Sequence, residues 1–196
     1  MDADELNRLY AEGERDFRFL NLQGINLSNA NLSGAIFWRA NLAEANLNNA
    51  NLRGAKLNEA DLTGATLWRS DLTGTNLNGA ILNGVILIRA TVAKVDFNEA
   101  FLIRADLRLA NLTEANLMRS NLTRADLRYA NLTKADMICA NLKFADLTGA
   151  DLREASLLFA DFTGANLNRA NLTGADVYQA KLEGALLPDE LTVRSR

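Results

Sequence analysis

The sequence predicts an all-β solenoid, and three regularities predict it: an unbroken five-residue period, a small residue two places before each large apolar one, and glycine held to one phase of that period. A chain of 196 residues with 48% apolar content can bury a sizeable core. A period of five fits neither the helical repeat of about 3.6 nor the strand repeat of about 2. The rule is clearest over residues 110–150, ANLTEANLMRSNLTRADLRYANLTKADMICANLKFADLTGA.

With the large apolar residue in the third slot of each quintet, that slot runs from Phe17 to Leu187 and holds only Leu, Phe, Val or Met. Ala fills the first slot in most quintets, replaced in places by Ser70, Thr75, Val85, Val95 or Ser120, and by Leu20 and Ile25 near the start. Residues two apart on extended backbone share a face, so both slots point inward, and the chain must turn before repeating the step. Extended steps alternating with turns make coils that stack at about 4.8 Å through backbone hydrogen bonds. Large Leu beside small Ala fills a narrow interior without voids. Every glycine except Gly13 sits in the fifth slot, where a turn needs positive φ. Asn and Asp alternate in the second slot. What they share is a short polar side chain that bonds nearby backbone, a structural role rather than a catalytic or calcium-binding one.

A solenoid needs caps on its open ends. Residues 2–13, DADELNRLYAEG, read as a helix with Asp2 as cap, Glu5 completing a capping box and Gly13 as the stop. Its face of Leu6, Leu9 and Tyr10 covers the first coil. The expected organisation is a helical lid over 1–14, the repeat body over 15–187 and a C-terminal cap or tail over 188–196. That tail leaves the frame at Pro188 and offers Leu191 and Val193 to the last coil.

The A-[DN]-L-x-x frame, over about residues 15 to 187, resembles the pentapeptide-repeat family. The resemblance implies a right-handed quadrilateral β-helix in which four quintets close one coil, hence about eight to nine coils and a rod on the order of 40 Å long. The opening, continued by GERDFRFLNLQGINLSNANLSGA, resembles cyanobacterial members in layout, including the inhibitor of heterocyst differentiation in filamentous cyanobacteria.

Composition argues against catalysis. There is no histidine for acid–base work, and Cys139 alone gives neither a disulfide framework nor a thiol cluster for metal. No enzymatic activity and no cofactor or metal are expected. The start MDADELNRLY is not a secretory signal, and no apolar run is long enough to span a membrane, so a cytoplasmic protein without membrane contact is expected.

Some members of the family protect type II topoisomerases by imitating DNA with an acidic rod. B-DNA carries about one negative charge per 1.7 Å, so a 40 Å mimic needs on the order of 24. Residues 20–187 hold 16 basic and 16 acidic residues. The neutral body disfavours mimicry, leaving it the alternative, and it also disfavours nucleic acid as a partner. Charge is graded along the chain: residues 89–143 hold nine bases and six acids, residues 144–187 three and six. Distinguishable ends favour a specific protein partner, with the chain a monomer or weak homodimer.

Residues 20 apart would then stack in outward columns. One wall carries Trp68, Ile88, Arg108 and Arg128, with Arg69, Arg89, Leu109 and Tyr129 in the next column and Asp106 and Asp126 nearby. Aromatics, aliphatics and arginines interleaved in this way have the composition of interface hot spots, so these eight residues form the candidate partner-binding surface. The opposite wall carries Met118, Ile138, Leu158 and Tyr178, with Phe159 adjacent. One stretch departs from the frame. Residues 81–105 place Ile81, Ile86, Thr91 and Phe101 in the second slot, which predicts a wider coil or disturbed turn, or an apolar outer patch.

Overall fold

A computed structural model describes residues 1–188. Within it residues 110–114 show how a quintet satisfies all of its backbone donors. The first-slot Ala110 N–H closes a turn on Leu107 C=O at 3.1 Å. Asn111 N–H donates back to Ala90 C=O (3.0 Å), while Leu112 and Glu114 N–H donate forward to Asn131 and Thr133 C=O (2.7 and 3.0 Å). The remaining donor, Thr113 N–H, is taken by the Asn111 side chain at 3.1 Å. An unpaired buried N–H costs about 1–3 kcal/mol, which is why the second slot so consistently carries Asn or Asp.

These bonds fix the coil. Second-slot residues form parallel bridges to the residue 20 positions on, from Asp16 with Ile36 to Asn166 with Leu186. A bridge spacing of 20 against a turn every five residues gives four sides per coil. The backbone touches its neighbour through single bridges at each side rather than through extended strands.

The first and third slots face the interior as expected. Leu107, Leu112 and Leu127 are fully buried, as are Ala105 and Ala115. Phe17 and Phe37 stack in the core with ring centroids 5.4 Å apart. The polar first-slot substitutions are buried too and keep their hydroxyls bonded: Ser70 to Leu67 C=O and Ser120 to Leu117 C=O at 2.7 Å, Thr75 to Leu52 C=O at 2.8 Å. Across residues 81–105 the bridges continue unbroken, so Val85 and Val95 are accommodated inside. The disturbance is local. The Val95 N–H does not close on Val92 C=O, a bond the adjacent turns at Ala90 and Ala100 both make.

Glycine is less necessary than the sequence suggests. Fifth-slot glycines do have positive φ, but so do Arg104, Glu114, Tyr129, Cys139 and many other fifth-slot residues, at values near +58°. The turn demands a left-handed residue at that corner, as type II turns do, and the stacked coils hold ordinary side chains there.

At the N-terminus α1 spans Ala3–Ala11, slightly shorter than the 2–13 expected, with Asp2 accepting Glu5 N–H at 2.9 Å and Gly13 at φ +103°. Leu6 is fully buried and Leu9 and Tyr10 pack on the core, so the amphipathic face closes the first coil. The Tyr10 hydroxyl donates to Ser33 C=O at 2.8 Å, and the Arg15 guanidinium lies 3.7 Å over the Tyr10 ring. Leu191 and Val193, assigned to a C-terminal cap from sequence, lie outside the described residues. Among the described residues no helix is long and apolar enough to cross a membrane.

Candidate interaction surface

Each side of the rod displays the second, fourth and fifth slots of successive coils. Four faces follow in chain order and can be named by a residue on each: the Arg104 face (81–84, 101–104, 121–124, 141–144), the Tyr129 face (86–89, 106–109, 126–129), the Lys134 face (91–94, 111–114, 131–134, 151–154) and the Tyr178 face (118–119, 138–139, 158–159, 178–179). The sequence-derived surface falls on the Tyr129 face and its N-terminal continuation at Trp68 and Arg69.

There Trp68, Ile88, Arg89, Arg108, Leu109, Arg128 and Tyr129 line one groove of about 430 Å³. Arg69, the remaining predicted residue, sits beside it with its guanidinium 4.5 Å over the Trp68 ring. The groove floor is an ion ladder. Arg108 Nη2 meets Asp106 at 2.7 Å and its Nε lies 3.6 Å from Asp126. Arg128 Nη2 meets Asp126 at 2.6 Å, and its Nε lies 3.9 Å from Asp146. Burial raises the Asp126 carboxyl, but bonds from the Arg128 side chain and backbone outweigh it and hold the carboxyl below the usual carboxylate range. The bond to Asp126 in turn raises Arg128. Forked pairing fixes both guanidinium planes, so less side-chain entropy remains to be lost on binding.

The two ends of the groove are aromatic and are held differently. Two places before Trp68 stands Thr66, whose hydroxyl donates to Asn46 at 3.4 Å and does not take the Trp68 N–H as Asn or Asp would. Asn48, one coil earlier, accepts it at 2.8 Å. Tyr129 packs against Gly149: a Cβ there would come within 2.7 Å of two carbons at one edge of the ring. Gly149 is therefore the seat of the tyrosine as well as a turn residue. Sequence reasoning passed over both Asn48 and Gly149, although a column written at a spacing of 20 sets each beside its aromatic.

The Tyr178 face carries aromatics of its own. Phe159 and Tyr178 meet edge to face at 6.1 Å, both about half exposed, and the exposed Cys139 shares this face.

Three comparisons place this geometry among known proteins. The family model for pentapeptide repeats matches residues 21–58, 55–92, 93–128, 115–153 and 150–187. The crystal structure of HetL, a pentapeptide repeat protein involved in heterocyst differentiation regulation from Nostoc sp. strain PCC 7120, is 37% identical. It aligns over 98% of this chain and 99% of HetL with a TM-score of 0.61. QnrB1, a plasmid-mediated fluoroquinolone resistance protein, is 20% identical over 89% of this chain and 87% of its own, with a TM-score of 0.56. That likeness concerns the fold alone. An uncharacterised protein, slr1851 of Synechocystis sp., is 57% identical over 35 residues, a match spanning 18% of this chain and 22% of that protein. The shared fold is the right-handed quadrilateral β-helix.

Proposed function

We propose that this chain, which belongs to the pentapeptide repeat family, is a non-enzymatic regulatory scaffold that presents ordered side-chain columns to a protein partner. The observation that carries this is the Tyr129-face groove, where two seated aromatics flank guanidiniums already fixed by the Asp ladder. Rigid display of anchors limits the entropy lost on association. A regulatory role draws support from the likeness to HetL along nearly the whole chain. The rod has about eight to nine coils, given bridges from Asp16 to Leu186 at a spacing of 20 residues. It is organised as a helical lid over 1–14, a body over 15–187 and a tail over 188–196. It acts in the cytoplasm as a monomer or weak homodimer, without nucleic acid or membrane.

The alternative, modulation of a type II topoisomerase by DNA mimicry, has against it 16 basic residues offsetting 16 acidic ones over residues 20–187. Affinity capture tests the proposal. Arg89→Glu combined with Tyr129→Ala is expected to lose at least one partner that the wild-type chain retains from a cyanobacterial lysate, with unchanged thermal melting. Retention of every wild-type partner would remove this groove from the function.

A further inference from the structure

Most cations of the repeat body are neutralised by a carboxylate beside them. Arg39 pairs with Glu59, Lys94 with Glu114, Arg119 with Glu99, Lys134 with Glu154 and Arg153 with Asp151. Among the described residues Lys56 and Arg169 have no carboxylate within 4 Å, and in the middle coils neither do Arg69, Arg89, Arg104 and Arg124. The four in the middle coils stand as two stacked like-charge pairs one coil apart, 69 over 89 and 104 over 124. Like charges directly opposite each other across adjacent strands are destabilising, so the stacks work against the fold.

The second pair lies on an unusual face. From residue 81 to 144 the Arg104 face contains no Asp or Glu but has Arg104, Arg124 and Lys143. Of these only Lys143 is paired, with Asp161 of the next coil at 3.4 Å. Second-slot Ile81 and Phe101 replace the usual Asn or Asp and remain exposed, 38% and 46%. Phe101 cannot accept the Ile103 N–H, and Asn83, one coil earlier, takes it at 3.1 Å. At the other end Phe144 packs against Gly164, where a Cβ would come within 2.7 Å of the ring, and it sits 5.9 Å from the Arg124 guanidinium. A groove of about 550 Å³ runs between Asn83 and Phe144, past both arginines. The same two devices that seat Trp68 and Tyr129, an asparagine from the preceding coil and a glycine beneath an aromatic, recur here.

We infer that the Arg104 face is a second docking surface, adjoining the Tyr129 face along one edge of the rod, and that it takes an acidic protein segment whose carboxylates alternate with aromatic or aliphatic side chains. Arg104 and Arg124 stand about 4.8 Å apart, close to the spacing of about 5–6 Å between side chains three or four apart on a helix. Unpaired guanidiniums offer their forks to carboxylates, and Phe101, Ile103 and Phe144 supply the apolar contact. Duplex DNA fits poorly, because a protein holds it through some six to ten phosphate contacts and this face has two free cations.

Fluorescence anisotropy of the full chain with a labelled peptide rich in Glu and Phe, and with its Gln counterpart, tests the assignment. The Glu peptide is expected to bind about tenfold or more tightly than the Gln peptide, and the preference weakens with salt. Arg104→Glu with Arg124→Glu is expected to lose that preference at unchanged thermal melting, while Arg104→Lys with Arg124→Lys retains part of it. Charge reversal on the Lys134 face (Lys94→Glu with Lys134→Glu) and removal of the other groove (Trp68→Ala with Tyr129→Ala) are expected to leave it within about twofold, so this inference and the proposed function fail separately. No preference for Glu over Gln, or equal loss from the Lys134-face variant, would overturn it. So would Arg104-dependent binding seen only with phosphatidylserine vesicles or duplex DNA.

Discussion

Residues 104, 124 and 144 stand on one face of the rod, and residues 94, 114, 134 and 154 occupy the same slot on the face opposite. Their backbones match, with φ between +56° and +59° at all seven. Their chemistry does not. On the Lys134 face the column alternates Lys94, Glu114, Lys134 and Glu154, joined by ion pairs of 3.7 Å (94–114) and 3.8 Å (134–154). On the Arg104 face two arginines stack on each other above a phenylalanine. One face spends its outward slots on mutual neutralisation, where exposed pairs are worth about 0–1 kcal/mol. The other forgoes that gain and leaves cations and aromatic carbon unpartnered. Since the scaffold beneath is common to both, the difference teaches that the charge carried in the fifth slot is free of the fold and open to selection for contact.

The comparison presupposes that both faces hang from one dry core, and the largest effect comes from breaking it. Leu107 is fully buried, so Leu107→Asp places a charge there without a partner and is expected to cost about 4 kcal/mol or more, or to abolish cooperative melting followed by circular dichroism. Unchanged melting would refute the inward assignment of the third slot. A smaller effect separates the faces. Asn83→Leu orphans the Ile103 N–H under the exposed Phe101 and is expected to cost about 1–3 kcal/mol in chemical denaturation. The smallest effect sharpens the contrast most. Glu114→Lys breaks the alternation and is expected to destabilise by about 0.5 kcal/mol, whereas Arg124→Glu relieves the Arg104 stack and is expected to stabilise by a similar amount. Both shifts should shrink in high salt. Destabilisation by Arg124→Glu would show that the arginine stack serves the fold after all.

Much of this was legible in the residues because the repeat is a statement of backbone bookkeeping. Ala, Asn or Asp, and Leu each answer one demand of the coil, and a chain that never slips its frame declares all three. The Tyr129-face residues could be gathered from sequence for the same reason: a spacing of 20 turns a linear list into columns. What stayed hidden depends on how a column is filled in three dimensions. Fifth-slot glycine looked obligatory, yet Arg104 and Tyr129 accept the same φ, and Gly149 and Gly164 matter for the rings resting on them. Asn48 and Asn83 looked like ordinary fourth-slot residues until their bonds reached into the next coil. The departure at 81–105 was visible, but its meaning turned on which arginines lacked a carboxylate, and that depends on side-chain reach.

The specialisation of faces is tested most directly by hydroxyl-radical footprinting of the chain, free and bound to a partner retained in affinity capture. Binding is expected to protect Trp68, Tyr129 and Phe144, while Phe159 and Tyr178 keep the reactivity they have in the free rod. Protection of Phe159 and Tyr178 with Trp68, Tyr129 and Phe144 still reactive would contradict it.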